Sequence, residues 1–269
     1  MADDRAELLW QSYFIPATTV LRNDLGITDA AALRDAEYAI AGQRLQQLER
    51  GDVQIPRTFD DAHLAAIHKH LFQDCYAWAG QPRYVDMAKN GAVFAPVPEE
   101  VLGQMWDAKQ LHNSVAWKEL DREGFAQAIG AYAAHTNYSH PFREGNGRAA
   151  KLLYNQVAQD TQFRIDWDRV SPEEWNQASR ASVAAASRGG TPDPTPLVAV
   201  FRGMTVPRDP GMNASGRERH QEHRRSERVA AQFTPTPAAL QAATRSRPVA
   251  AQPAPLQPQA PARYRARGY

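Results

Sequence analysis

The 269-residue sequence contains a single cysteine, Cys75, and therefore cannot form an internal disulfide bond. No stretch approaches the roughly 18 consecutive apolar residues of a membrane-spanning helix, so we expect no membrane span. The acidic first residues are not followed by the apolar run of a secretory signal. These absences predict a protein that works in the reducing cytoplasm.

Lysine is absent from the C-terminal part of the chain. Residues 204–269 contain eleven Arg, no Lys and four Asp or Glu, a net charge of +7. Because the whole chain carries +1, residues 1–203 carry −6. The C-terminal part is rich in Pro, Ala and Gln, and its few large apolar residues cannot offset the entropy lost on ordering. We predict a folded domain at residues 1–206 and a basic, mostly disordered tail at 207–269.

Apolar residues recur at helical spacing through most of the first 203 residues, without βαβ alternation. The pattern predicts an all-α fold of about seven helices. Capping signals place the helix starts at Thr28, at Asp60 or Asp61, at Asp121 and within residues 171–174. The helix that follows Pro98 has an expected apolar stripe of Leu102, Met105 and Trp106.

Residues 83–96 interrupt the helical pattern with two short β-prone pieces. Asn90 and Gly91 lie between these pieces, and Asn-Gly is the strongest short signal for a hairpin turn. The sequence therefore predicts one β-hairpin in an otherwise helical protein.

Chemically active residues are concentrated in residues 140–148, which read His-Pro-Phe-Arg-Glu-Gly-Asn-Gly-Arg and precede a predicted helix. His140 has an ordinary pKa of about 6.5 and can accept a proton near neutral pH. Glu144 offers the hard oxygen ligands that Mg²⁺ prefers. The glycines lie at a helix N-terminus, whose free N–H groups and positive dipole end favour phosphate, and Arg148 adds a donor fork. The stretch combines a general base, a metal ligand and a polyphosphate cradle.

Residues 140–151 resemble the Fic motif, H-x-F-x-(D/E)-G-N-G-R-x-x-R, of Fic-domain proteins. Segments 25–27, 70–80 and 167–175 also resemble the family, so that the likeness covers roughly residues 10–203. The last motif position is Lys151, where the family usually has arginine. The resemblance implies the Fic fold, a helical bundle with a hairpin flap over the active site.

The resemblance also implies a protein adenylyltransferase that moves AMP from ATP to a Ser, Thr or Tyr hydroxyl of a target protein. His140 would be the general base, and Glu144 would hold Mg²⁺. Gly145, Asn146, Gly147 and Arg148 would bind the ATP phosphates. Phe142 is interpreted as an apolar anchor of the loop, and Arg143 as a solvent-facing side chain.

Two further parts of the site follow from the resemblance. Lys151 would share a helix face with Arg148 and offer a point charge to the γ-phosphate, which predicts a weaker grip than arginine provides. The flap residues Met87, Ala88, Lys89, Asn90 and Gly91 would dock a target segment by strand-like pairing. A plain surface hairpin is the alternative interpretation of the flap.

The remaining histidines considered show no metal-ligand spacing and are interpreted as surface or packing residues. They are His63, His68, His70, His112 and His135.

Many Fic proteins are inhibited by a helix with the pattern (S/T)-x-x-x-E-(G/N), whose glutamate pairs with the second arginine of the motif. This chain does not contain the pattern. It therefore resembles the bacterial toxins whose inhibitory helix belongs to a small separate antitoxin, a class with type II topoisomerase subunits among its targets. The hypothesis is a cytoplasmic bacterial toxin of a toxin–antitoxin pair.

The chain ends Arg263-Tyr264-Arg265-Ala266-Arg267-Gly268-Tyr269. This ending resembles the R-x-R-x-R-x-x signal of type IV secretion substrates, although Pro255 stands where the longer form of the signal has another arginine. Export through a type IV secretion system is one interpretation. A solvated basic tail that binds nucleic acid weakly is the other.

Two alternative functions remain from the sequence. A Doc-like protein kinase would use the same fold, but Doc has A-N-K-R where this chain has Gly145-Asn146-Gly147-Arg148. A catalytically weak module that binds an antitoxin is the second alternative, and Lys151 is its only support.

Overall fold

The computed structural model describes residues 2–208, apart from residues 90, 185 and 187–190. Eight α-helices occur in this part of the chain: α1 (Ala2–Gln11), α2 (Ala30–Arg50), α3 (Asp61–Phe72), α4 (Glu99–Ser114), α5 (Arg122–Ser139), α6 (Asn146–Gln159), α7 (Pro172–Ala184) and α8 (Thr195–Met204). The mostly helical architecture confirms the predicted fold class. None of the described helices is both long and apolar enough to cross a membrane.

Side-chain caps explain four of the eight described helix starts, those of α2, α3, α5 and α7. The carboxylates of Asp60 and Asp121 accept hydrogen bonds from N–H groups of the first turns of α3 and α5, as expected for N-cap residues. Ser171 and Glu174 exchange two hydrogen bonds, of 2.8 and 3.1 Å, in the predicted capping box of α7. For α2 the prediction was wrong by one residue, because Asp29 and not Thr28 accepts the hydrogen bond from Ala32.

Helix α5 forms the centre of the bundle and packs against α4, α6, α7 and α8. Its side chains Phe125, Ile129 and Tyr132 are fully buried. Cys75 is also buried in the core, and burial raises the pKa of its thiol to about 12. The N-terminal and middle turns of α5 are therefore held in the main core, and its C-terminus leads into residues 140–145.

The predicted hairpin is present as strands β1 (Ala88–Lys89) and β2 (Ala92–Val93). They pair antiparallel, with Ala88 opposite Val93 and Lys89 opposite Ala92. The N–H of Ala95 donates to the Tyr138 carbonyl at 3.0 Å and ties the hairpin to the end of α5. The hairpin thus lies against the same helix end that carries His140.

Three features were not predicted. Helix α1 precedes the expected bundle. Strand β3 (Phe163–Ile165) pairs antiparallel with β4 (Thr205–Pro207), so the described part contains a second two-stranded sheet. In α4, Met105 is buried, but Leu102 and Trp106 are exposed and do not extend an apolar stripe into the core.

The second sheet also bears on the domain boundary that was placed at residue 206. Strand β4 continues to Pro207, and the guanidinium of Arg208 donates to carbonyl groups of Ala158 and Phe163. The predicted tail from residue 209 onward, with its secretion-like ending, lies outside the described residues.

Candidate active site

The predicted catalytic stretch joins two core helices. Helix α5 ends at Ser139 and is capped by His140, whose backbone is left-handed (φ 41°) and whose N–H donates to the Thr136 carbonyl at 3.3 Å. Helix α6 begins five residues after this turn, with Gly145 as its N-cap. The loop is therefore anchored at both ends by buried helices, which limits its freedom to move.

Within the loop, the Asn146 side chain bonds to the backbone of Phe142. The Phe142 N–H donates to Asn146 Oδ1 at 2.9 Å, and Asn146 Nδ2 donates to the Phe142 carbonyl at 2.7 Å. The Phe142 ring is buried and stacks on His68 with 3.9 Å between ring centroids. The amide group of Asn146 thus holds the loop in shape, and the phosphate-binding role implied by the family resemblance stays a prediction.

The two glycines of the loop serve different purposes. Gly145 has a positive φ of 79°, and a Cβ added there would lie 2.4 Å from the Phe72 ring. A Cβ on Gly147 would meet nothing within 4 Å. Gly145 is required by the fold, and Gly147 leaves open space at the first turn of α6, where N–H groups lack intrahelical partners.

The imidazole of His140 stacks on the ring of Phe94, the residue after β2. The centroids are 3.7 Å apart and the planes differ by 13°. Burial, and then the positive charges of Arg83 and Lys89, lower the pKa of His140 to about 3. The ring is therefore neutral at pH 7 and has a lone pair for a proton.

Arg83 connects the flap to the catalytic loop and was missed by the sequence analysis. Its side chain is buried and donates to the carbonyl groups of Val85, Ala95, Ser139 and His140. Its N–H donates to the Pro141 carbonyl at 2.7 Å. A single arginine before a β-prone piece carries no sequence signal for this role, because its partners are all backbone carbonyls and most of them lie in other segments.

Glu144 is a half-exposed carboxylate at the mouth of the loop, with its side chain 40% exposed. One of its oxygens accepts the Gly145 N–H at 3.0 Å. The described residues contain no group of three His, Cys, Asp or Glu side chains that could hold a metal by themselves. A lone carboxylate fits Mg²⁺, which is commonly held by one or two carboxylates together with substrate phosphates and water.

The two basic residues of α6 diverge, although they are three positions apart. Arg148 donates to Glu37 of α2, and its guanidinium lies 4.6 Å from the rings of both Tyr38 and Phe72. The ammonium of Lys151 lies 4.6 Å from the Trp167 ring centroid, on the side of α7. The predicted pairing of both residues on one phosphate chain therefore requires at least one of them to turn from its present contacts.

Arg143 is not solvent-facing, and that prediction was wrong. Its guanidinium lies over the rings of Trp10 and Phe14, 4.3 and 5.1 Å from their centroids. Helix α1 and the segment after it, which were not foreseen, supply these rings. Burial lowers the pKa of Arg143. Because a guanidinium is not deprotonated in proteins, the side chain brings a fixed positive charge beside Glu144.

A cavity of about 280 Å³ brings together most of the predicted site. His140, Glu144, Asn146 and Gly147 form its wall on the loop side. The flap side is formed by Met87, Ala88 and Lys89, and Trp10 and Arg143 complete the lining. Gly91 is exposed at the hairpin turn, and Asn90 lies outside the described residues.

A second cavity of about 210 Å³ shares His140, Asn146, Gly147 and Lys89 with the first. Its other wall comes from α7, which contributes Trp175, Asn176 and Arg180 among others. No binding role was predicted for these residues, because their helical spacing is equally typical of a face that packs against the core. His140 and the first turn of α6 thus stand between two cavities.

His68, interpreted as a surface or packing residue, makes two hydrogen bonds, one of which is to the site residue Glu144. Its Nδ1 accepts the Gly80 N–H at 2.9 Å, and its Nε2 lies 2.9 Å from the Glu144 carbonyl. Because Nδ1 accepts, the neutral ring carries its proton on Nε2 and donates it to Glu144. Burial lowers the pKa of His68 to about 4, which maintains this neutral form.

Comparison with known proteins identifies the family. Residues 58–158 match the model of the Fic/DOC family. The chain is 39% identical over 167 residues to Protein adenylyltransferase VbhT of Bartonella schoenbuchensis, covering 62% of this chain and 34% of that protein. It is 32% identical over 193 residues to Probable protein adenylyltransferase Fic of Salmonella typhimurium, covering 71% and 90%. The chain belongs to the Fic/DOC family, and it spans about a third of the first relative and most of the second.

A solved structure with a similar fold is that of BepC, a VirB-translocated Bartonella effector protein from Bartonella tribocorum with bound AMPPNP. The TM-score is 0.66 at 23% identity, and the match covers 74% of this chain and 98% of the other. This similarity confirms the predicted Fic fold.

Proposed function

We propose that this protein is an adenylyltransferase that moves AMP from ATP to a hydroxyl side chain of a target protein. The observation that carries the proposal is the position of neutral His140 between two cavities, beside the N-terminus of α6. Family membership supports it, since relatives that are 30–39% identical are named protein adenylyltransferases.

His140 acts as the general base of the transfer. Its unprotonated nitrogen takes the proton of the target hydroxyl, and the hydroxyl oxygen forms a bond to the α-phosphorus of ATP. The bond from the α-phosphorus to the bridging oxygen breaks, and pyrophosphate leaves. A base with a pKa of about 3 is weak, but the negative charge of bound ATP counteracts the cations Arg83 and Lys89 and raises its proton affinity.

The phosphates bind at the first turn of α6. Gly147 leaves the space for close approach, and the helix end supplies N–H donors and a positive dipole. The Asn146 side chain contributes indirectly, by fixing the loop. Lys151 offers a single charge to the γ-phosphate, so Lys151→Arg is expected to tighten ATP binding or speed the reaction; no improvement in either would contradict this role.

Glu144 would hold Mg²⁺ between the loop and the phosphates. When bound, the ion neutralises phosphate charge and favours departure of pyrophosphate. Glu144 is suited to this task because its carboxylate is accessible, the His68 hydrogen bond fixes its backbone carbonyl, and the Gly145 N–H holds one of its carboxylate oxygens.

The flap would position the target. Ala88 and Lys89 are exposed on strand β1, and Met87 lies at the cavity wall, so an extended target segment can pair with the strand and reach His140. The same surface would serve type II topoisomerase subunits or another target.

A toxin–antitoxin role is the biological setting that we propose. The absence of the inhibitory pattern from the sequence supports control by a separate antitoxin with an (S/T)-x-x-x-E-(G/N) helix. The arginine-rich chain end supports export by type IV secretion from the bacterial cytoplasm, as does similarity to a VirB-translocated effector. Expression alone is expected to be toxic to bacteria, and His140→Ala is expected to remove the toxicity.

Two labelled donors distinguish the reaction from its alternatives. The protein is incubated with bacterial lysate and either α-labelled or γ-labelled ATP. Protein labelling from the α-position alone supports adenylyl transfer. Labelling from the γ-position alone would identify a Doc-like kinase, and labelling from neither would indicate a binding module.

A further inference from the structure

The guanidinium of Arg148 is held by residues that lie outside the motif. Glu37 on α2 is buried, with its side chain 6% exposed, and accepts hydrogen bonds from Arg148 Nη2 and from the Tyr76 hydroxyl. Tyr38 and Phe72 lie against the guanidinium, each with its ring centroid 4.6 Å away. The direction of the arginine side chain is thus determined by α2, α3 and the segment after α3.

Glu144 is the other carboxylate near Arg148. Its Oε1 lies 3.9 Å from the same Nη2 atom, which is within ion-pair range but beyond hydrogen-bond distance. Residues four positions apart at a helix start readily form an ion pair, and Glu144 and Arg148 have that spacing. In this structure Nη2 of Arg148 donates its hydrogen bond to Glu37, and Glu144 keeps only the longer contact at 3.9 Å.

The position of Arg148 affects how strongly Glu144, the proposed metal ligand, attracts a cation. A guanidinium hydrogen-bonded to a glutamate compensates part of the negative charge of the carboxylate, and this compensation weakens the attraction of the carboxylate for a cation. At 3.9 Å the guanidinium compensates less of the negative charge of Glu144 than it would in a direct hydrogen bond. The buried carboxylate of Glu37 therefore competes with Glu144 for one arginine.

We propose that Glu37 is a positioning residue, which holds Arg148 away from Glu144 and keeps the Glu144 carboxylate available for the Mg²⁺–nucleotide complex. This inference rests on the proposed function of Glu144. The role is indirect, since Glu37 reaches the site only through Arg148.

The test uses the full-length chain in a His140→Ala background, so that ATP is bound but not consumed. ATP affinity is measured by calorimetry over a series of Mg²⁺ concentrations. The half-saturating Mg²⁺ concentration is the one at which half of the Mg²⁺-dependent increase in ATP affinity is reached. Glu37→Gln keeps the size and hydrogen-bonding capacity of the side chain but removes its charge. We expect it to raise the half-saturating Mg²⁺ concentration about fivefold. Arg148, released from Glu37, would then form one modest ion pair with Glu144, and this pair competes with Mg²⁺.

A double-mutant cycle separates this mechanism from a loss of packing. In an Arg148→Met background, Glu37→Gln is expected to leave the half-saturating Mg²⁺ concentration unchanged, because no guanidinium remains to be released. Tyr76→Phe removes a hydrogen bond to Glu37 but keeps the ion pair, and is also expected to cause no rise. An equal rise in either variant would overturn the proposal.

Glu123→Gln is the matched control. It neutralises a glutamate that pairs with Arg202 at the opposite end of α5, and it should not change the Mg²⁺ dependence. If Glu37→Gln does not fold, Glu37→Asp, which keeps the charge but withdraws it from Arg148, is expected to give a smaller rise. No rise in a folded Glu37 variant overturns the inference.

Failure of the proposed function would look different. If ATP binding by the parent does not depend on Mg²⁺, or if Glu144→Gln does not reduce that dependence, the role of Glu144 is wrong. If ATP binding by the parent depends on Mg²⁺ and Glu144→Gln reduces that dependence, the role of Glu144 stands. If Glu37→Gln then has the same half-saturating Mg²⁺ concentration as the parent, only the role of Glu37 is wrong.

Discussion

The imidazole of His140 lies parallel to the phenyl ring of Phe94, with 3.7 Å between their centroids. Phe94 belongs to the flap segment, so the stack connects the proposed base directly to the proposed target-docking element. We expect Phe94→Leu, which keeps apolar bulk but loses the flat face, to reduce the transfer rate about tenfold through misplacement of the base. ATP affinity, measured by calorimetry, should be unchanged in this variant.

Phe163→Leu is the control for that experiment, because Phe163 is equally buried but lies in β3, away from the catalytic loop. If the two variants lose the same activity in proportion to their loss of stability, the ring stack has no specific role.

The low pKa of His140 predicts an acid-dependent loss of stability. Its pKa is about 3 in the folded protein and about 6.5 when unfolded, so folding favours the neutral form. The stabilisation from this shift is complete above pH 6.5 and is lost as the pH falls toward 3. Between pH 7.5 and 5, the protein should lose about 2 kcal/mol more unfolding free energy than His140→Ala. Urea unfolding of both proteins at the two pH values measures the difference, and equal losses would contradict a lowered pKa.

The two loop glycines should respond differently to alanine. Gly145→Ala places a Cβ against Phe72 at a positive φ, so we expect a loss of about 2–4 kcal/mol in unfolding free energy. Gly147→Ala meets open space and should fold normally, yet it should weaken ATP binding because the methyl group intrudes where phosphate approaches. Thermal unfolding and ATP titration of the pair provide the comparison. A stable Gly145→Ala protein would show that the loop adapts.

His68 is expected to be as important for the loop as the motif itself. His68→Leu leaves the Gly80 N–H and the Glu144 carbonyl without their partner, and should cost about 2–4 kcal/mol in unfolding free energy. Lowered ATP affinity should accompany this loss, since the phosphate cradle follows Glu144. Denaturant unfolding and calorimetry measure the two effects; a change in stability with normal ATP affinity would limit His68 to packing.

The sequence predicts the helices and the hairpin well because their signals are local. Asp60, Asp121 and residues 171–174 carry caps that act within one turn, and the Asn-Gly pair at positions 90 and 91 is a local hairpin signal. The β3–β4 pair was missed because its strands are about forty residues apart and only three residues long. Pairing at that distance leaves no pattern in either strand.

The site shows the same division. The motif brings His140, Glu144 and Gly147 to one cavity as expected from their closeness in sequence. Arg83, Glu37 and His68 act through contacts 57 to 111 residues away, and Arg143 was misjudged because its aromatic neighbours come from an unpredicted helix. Such contacts depend on tertiary packing and cannot be read from single segments.

The central claim is that His140 is the base in transfer of AMP from ATP to a target hydroxyl. The direct test compares the wild-type chain with His140→Ala in labelling of lysate proteins from α-labelled ATP. We expect His140→Ala to bind ATP normally but to transfer label about 10²–10⁴ times more slowly. Equal labelling by the two proteins would contradict it.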